Sequence, residues 1–185
     1  MGDRGLHREP STRNAMTTLH NVRLLARYMA WANDKIFDTV AALPEGEATK
    51  PRRSVFKNIV HTLNHVYVID LIFQAHLEGR EHGFTARNTP DHPPLGELRR
   101  KQRALDDWYI AWSDRLTESG LERRVRFTFV GGGEGVMTCA EIALHLANHT
   151  TYHRGYIADM LYQVPAHPPT TDLTLFIRDV PLQLD

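Results

Sequence analysis

A single cysteine, Cys139, is all the thiol that the 185 residues carry. It rules out an intrachain disulfide and a structural zinc cluster, and it fits a reducing compartment. No stretch approaches the ~20 apolar residues of a membrane span, and residues 1–15 lack the apolar centre of a signal peptide. Leu6 stands where a myristoylation signal needs Ser or Thr. The 22 basic and 22 acidic residues cancel, so no bulk electrostatic drive points toward nucleic acid or an acidic membrane. Two metal motifs are missing as well. There is no His-Glu-x-x-His, hence no glutamate base built into a metal pair. A di-iron carboxylate bundle needs Glu-x-x-His on two helices, whereas Glu141 and His145 stand four apart and occur once. The expectation is a soluble, cytoplasmic protein with a small-molecule partner, no nucleic acid and no membrane.

What is present is helical periodicity and histidine. Val22, Leu25, Met29, Ala32, Ile36, Val40 and Leu43 recur at three- and four-residue steps from about Thr18 until Pro44 and Gly46, which is the helical period. Residues 1–16 before it are read as a disordered N-terminal tail, and 17–185 as one domain. A second helix is expected from an N-cap at Ser54 to Leu77, stopped by Gly79. It is apolar nearly all round, which predicts burial in a bundle or in a dimer contact. A third is expected over Leu95–Leu121, with Leu98, Leu105 and Trp112 at sevens. Val125, Phe127 and Phe129 then alternate with polar residues before Gly131-Gly132-Gly133, and Val136 and Met137 offer a returning strand. Thr138 and Glu141 form a capping box for a fourth helix, about Cys139 to Tyr162. Cys139, in its first turn, is read as a small buried thiol. Prolines follow, then an apolar tail over Leu173–Val180. The expectation is an all-α fold, a four-helix bundle with a small β-hairpin before the last helix.

Eleven histidines are many for this length. His145, His149 and His153 lie at four-residue steps on the last helix. With Ile142 as zero and about 100° per residue, Leu146, Tyr156 and Met160 fall within about 40°, which defines the apolar face. His149 and His153 fall within about 20° of its centre, and His145 about 60° off, on the flank. His145 and His153 are about 12 Å apart along the axis, too far to share one ion easily with His149. Two buried imidazoles one turn apart need partners for four ring nitrogens. A divalent cation held by the i, i+4 pair supplies that; so do hydrogen bonds from facing helices. A metal site needs a third protein ligand, and the second helix offers His61 and His65. Its apolar residues are spread too widely to choose between them.

The run His145-Leu-Ala-Asn148-His149-Thr-Thr-Tyr152-His153-Arg154-Gly155 closely resembles the last-helix motif of the DinB/YfiT-like superfamily of metal-binding four-helix bundles. Leu25-Ala-Arg-Tyr28-Met-Ala-Trp31-Ala32-Asn33 is similar to its first-helix pattern, and His65-Val-Tyr-Val-Ile-Asp70 to its second-helix ligand segment. The resemblance spans most of residues 18–180 and implies a DinB-like bundle. It selects His65, His149 and His153 as ligands to one divalent metal ion, zinc or nickel, and leaves His145 outside the set. It also implies a homodimer. Asn33, Asn148, Tyr28 and Tyr152 are the candidates to line or support the site. Three neutral ligands leave open positions on the ion, the pattern of a catalytic site. By resemblance the expected activity is a transferase using a low-molecular-weight thiol on a small electrophile. The alternatives are a metal-dependent hydrolase, or a non-enzymatic, stress-related metal-binding or dimerisation module.

Overall fold

A computed structural model of the chain describes residues 12–164 and 166–181, with side chains from Thr18 onward. Its elements run α1 (Thr12–Ala41), α2 (Ile59–Glu78), α3 (Leu95–Asp114), α4 (Glu118–Leu121), β1 (Arg124–Thr128), β2 (Glu134–Thr138), α5 (Cys139–Leu161) and α6 (Leu173–Asp179). The four long helices are the bundle: α1 packs on α3 and α5, and α2 packs on α5 and α3. The all-α fold with one hairpin is as the periodicity predicts.

Local chemistry moves several boundaries. Helical backbone begins at Thr12, six residues before the expected start near Thr18; residues 1–11 of the expected tail lie outside the described residues. Ser54 does not cap α2. The chain first makes a turn, in which the Arg52 N–H donates to the Lys57 carbonyl at 2.9 Å and the Ser54 hydroxyl accepts from the Phe56 N–H. Asn58 caps instead, its side-chain oxygen accepting from the His61 N–H at 2.7 Å. At the other end Gly79 adopts φ 70°, the left-handed geometry that lets its N–H reach back to the last turn. The expected third helix is two pieces. Thr117 leaves helical geometry (φ −106°, ψ 169°) and its hydroxyl accepts from the Gly120 N–H, so α4 starts afresh. The apolar tail folds as α6, whose Phe176 ring lies 5.7 Å from Tyr28 and 5.5 Å from Trp31.

The hairpin pairs Arg124 with Thr138 through Thr128 with Glu134. Its turn runs through Gly131, Gly132 and Gly133, all at φ between 91° and 100°, a region side chains rarely enter. Thr138 ends β2 and opens α5 in one step. Its hydroxyl accepts from the Glu141 N–H (3.2 Å), and its own N–H donates to the Glu141 carboxylate (2.7 Å).

Two apolar clusters fill the bundle. One gathers Met29, Phe73, Leu105, Tyr109, Ile142 and Leu146 at the hairpin end. The other gathers Ile36, Val60, Leu63, Leu98, Ile157 and Met160 at the opposite end. Near the junction of the two clusters every long helix buries polar side chains: Asn33, His65 and Asp70, Gln102 and Asp106, His153 and Arg154. They form a polar layer interleaved with buried apolar residues such as Ala32, Val66 and Val68. Within it, the Gln102 amide donates to both Asp70 and Asp106 at 3.0 Å. The Asn33 amide donates to both oxygens of Asp106 at 3.1 Å, and the Tyr109 hydroxyl donates to the Asp70 carbonyl at 2.6 Å. Three helices are tied in register. From Ile59 to Leu77 no residue of α2 is exposed, so its all-round apolar character is answered inside this chain.

Burial raises the Asp106 carboxyl from 3.8 to about 7, against the amides of Gln102 and Asn33 that favour the charged form. Burial and then the neighbouring Asp106 push Asp70 well above the ordinary range. A raised folded-state value favours folding while the acid is protonated, and the contribution is lost as pH rises through about 7. Asp106→Asn keeps the acceptor for Gln102 and removes the titration. Its stability relative to wild type therefore improves as pH is raised from about 5 to about 8, measured by urea unfolding. A gap that does not move with pH contradicts this ionisation.

Candidate metal centre

The last helix enters the core with its phase set by the hairpin and capping box. Ile142, Leu146 and Met160 are fully buried, and His153 is 3% exposed. His149 is half-buried beside it, and His145 sits further out, its ring 4.8 Å from Phe73. From α2, His65 meets the pair. Ring centroids are 4.5 Å apart for His65 and His153, 5.2 Å for His65 and His149, and 4.3 Å for His149 and His153. One nitrogen from each ring lies within 4.8 Å of the others, a group that can hold a metal ion. His61 stays at the start of α2, half-buried, with its N–H in the Asn58 cap.

The donor chemistry fits a cation. His65 Nδ1 lies 2.9 Å from the Arg87 carbonyl, which can only accept. That bond puts the proton on Nδ1, leaves a lone pair on Nε2 and fixes the ring, the usual outer support of a metal-binding histidine. The freed Nε2 faces His149 Nε2 at 3.3 Å. Two nitrogens bound at tetrahedral angles to one ion at 2.0–2.1 Å stand about 3.3 Å apart. The buried Nδ1 atoms of His149 and His153 have no hydrogen-bond partner among the described residues. Protonation does not compete at neutral pH either. Burial, then the neighbouring imidazoles His153, His65 and His145, pushes His149 down to about 3. Burial, then His65, pushes His153 to about 4, and burial lowers His65 against the pull of the Arg87 carbonyl. All three rings are neutral at pH 7, the form that binds metal.

The four supporting candidates divide. Tyr152 stands beside the site, its ring edge-on to His153 at 5.2 Å. Asn33 is buried but spends its amide on Asp106. Tyr28 donates to the Thr171 carbonyl (2.9 Å) and accepts from Arg154 (2.7 Å), so it ties α5 to the chain before α6. Asn148 is exposed, one helical step away from His149, and lines a surface hollow with His145. Sequence reasoning missed Phe56, whose ring lies 4.6 Å from His153; a helix starting at Ser54 hides its place in a turn. It missed Tyr156, whose ring lies 6.5 Å from His153, because the residue also belongs to the apolar stripe. It missed the Arg87 carbonyl too, since a backbone acceptor leaves no mark in a sequence.

The family model described as DinB family matches residues 15–180. The chain is similar to Protein DinB of Bacillus subtilis (strain 168), 29% identical over 164 residues, covering 83% of this chain and 91% of that protein.

His149→Ala should abolish stoichiometric metal, read by elemental analysis of protein purified without a nickel column. Asn33→Ala should lower stability by roughly 1–3 kcal/mol, by leaving buried Asp106 under-bonded, yet keep the metal affinity of wild type in a chelator competition. Metal loss in Asn33→Ala would show that the polar cluster reaches the triad.

Proposed function

The chain belongs to the DinB family, and from that premise we propose that it is a metal-dependent transferase that adds a low-molecular-weight thiol to a small electrophile. The observation that carries the reading is the donor set: three neutral imidazoles and, among the described residues, no carboxylate in the cluster. A bound divalent ion would supply an open position with its charge unneutralised, where a thiol is held as the thiolate. His65, His149 and His153 would hold that ion, and the Arg87 carbonyl would keep His65 oriented. Imidazole ligands suit zinc or nickel. Hydrolysis ranks second, because no acid stands among the ligands to serve as a base.

The proposed setting is the cytoplasm, as a homodimer. No helix of the described residues is long and apolar enough to cross a membrane. Support for the dimer moves from α2, which its own chain covers, to Leu144 on α5, 62% exposed between Val136 and Leu173. Sedimentation that finds a monomer at every concentration overturns the dimer.

The activity is tested on a panel of small electrophiles with and without thiol. Consumption should require both thiol and metal. His149→Ala should reduce it by at least the ~100-fold that loss of an outer-shell partner can reach. Turnover with metal but without thiol favours the hydrolase, and silence in both panels favours a binding module.

A further inference from the structure

Holding a metal ion does not require aromatic rings, yet three stand against the triad. Phe56 sits in the turn before α2, and its ring is edge-on to His153 (4.6 Å, 77°) and tilted over His65 (5.8 Å, 32°). Tyr156 meets Phe56 edge-on at 4.8 Å. Tyr152 meets Tyr156 at 5.1 Å and His153 at 5.2 Å, and the two tyrosine hydroxyls are hydrogen-bonded at 2.9 Å. The rings therefore gather along the His65–His153 edge. On the other side His149 is flanked by His145, at 5.8 Å.

This wall is incompletely buried. Tyr152 is 57% exposed, and Phe56 and Tyr156 are half-buried. Packing alone gives no reason for large apolar side chains to face water beside a polar cluster; a ligand with apolar surface does. Edge-on rings also offer open faces and edges to a further ring, the arrangement aromatic groups prefer.

We propose that Phe56, Tyr152 and Tyr156 are the specificity wall of the histidine site, and that the molecule bound there carries a flat apolar group beside its metal-directed atom. The inference rests on the reading of the triad as a metal site with an open position.

Cobalt(II) replaces the metal as a spectroscopic probe, so binding is read from the absorption of the loaded protein without turnover. Two pairs of co-ligands are titrated: phenylmethanethiol against 2-mercaptoethanol, and benzoate against acetate. Wild type should favour the ring-bearing member of at least one pair by about tenfold, the scale of one good aromatic contact with its burial. Phe56→Ala and Tyr156→Ala should each remove most of that preference while cobalt affinity stays within about twofold. Phe56→Leu, which keeps apolar bulk without a ring, should lose the preference too and guards against a folding defect. Tyr156→Phe should retain it. If cobalt binds but neither pair is discriminated, or the preference survives both alanine variants, the wall is overturned and the metal reading stands. If cobalt does not bind before any co-ligand is added, the metal reading falls and the wall with it.

Discussion

The constraint on which this structure turns is the layer of polar side chains buried where the two apolar clusters meet. Each long helix contributes buried polar side chains at mid-height, where water cannot satisfy them, and an unsatisfied buried group costs about 1–3 kcal/mol. Helix α2 feels this most, because it is covered along almost its whole length. Its polar atoms must be answered by other elements, and most are; Asn64 Nδ2 and Asp70 Oδ1 have no hydrogen-bond partner among the described residues. Asn64 accepts from the Thr89 N–H and hydroxyl at 3.0 and 3.1 Å, Asp70 accepts from Gln102, and His65 uses the Arg87 carbonyl. The loop over residues 87–89 is thereby fastened to α2 by the same bonds that orient His65. Registration of the helices and orientation of a metal-binding ring are one set of interactions.

Burial also fixes the charge state of the site. Imidazoles crowded together out of water lose their protons well before neutral pH, and His149 and His153 show this most. The effect that leaves the triad ready for a cation leaves the acids of the layer reluctant to ionise. Arg154, one residue past His153, is buried with its guanidinium over the Tyr28 ring at 5.0 Å. It anchors the back of α5 to α1 while the front carries the histidines.

Much of this was legible in the sequence. Periodicity gave the four helices and the alternation gave the hairpin. Thr138 and Glu141 gave the start of α5 because a capping box is a local contract between neighbours. The angular position of His149 and His153 against Ile142 needed only helical geometry. The choice of His65 over His61 was not available that way, because an apolar residue on every side leaves no stripe to measure from; it came from resemblance. What failed were inferences from a residue's type to its partner. Asn33 is buried and polar as a supporting residue should be, but Asp106 claims it. Ser54 is a good cap by type, yet its hydroxyl closes the turn that presents Phe56. Tertiary partners decide such cases, and single-sequence patterns do not carry them.

The two polar groups of the layer are kept apart by the same helix that supplies both. Asp70 follows His65 by five residues, so it lies about 7.5 Å further along α2 and about 140° round from it. The carboxylates therefore face α3 and α1, and the imidazoles face α5. An acid among the ligands would cancel half of a divalent ion's charge and bring its own base. With the acids held on the far side, the charge of a bound cation is left for an incoming anionic group. That division, set by the helical repeat of α2, keeps the acids of the layer from neutralising a cation bound by the three imidazoles.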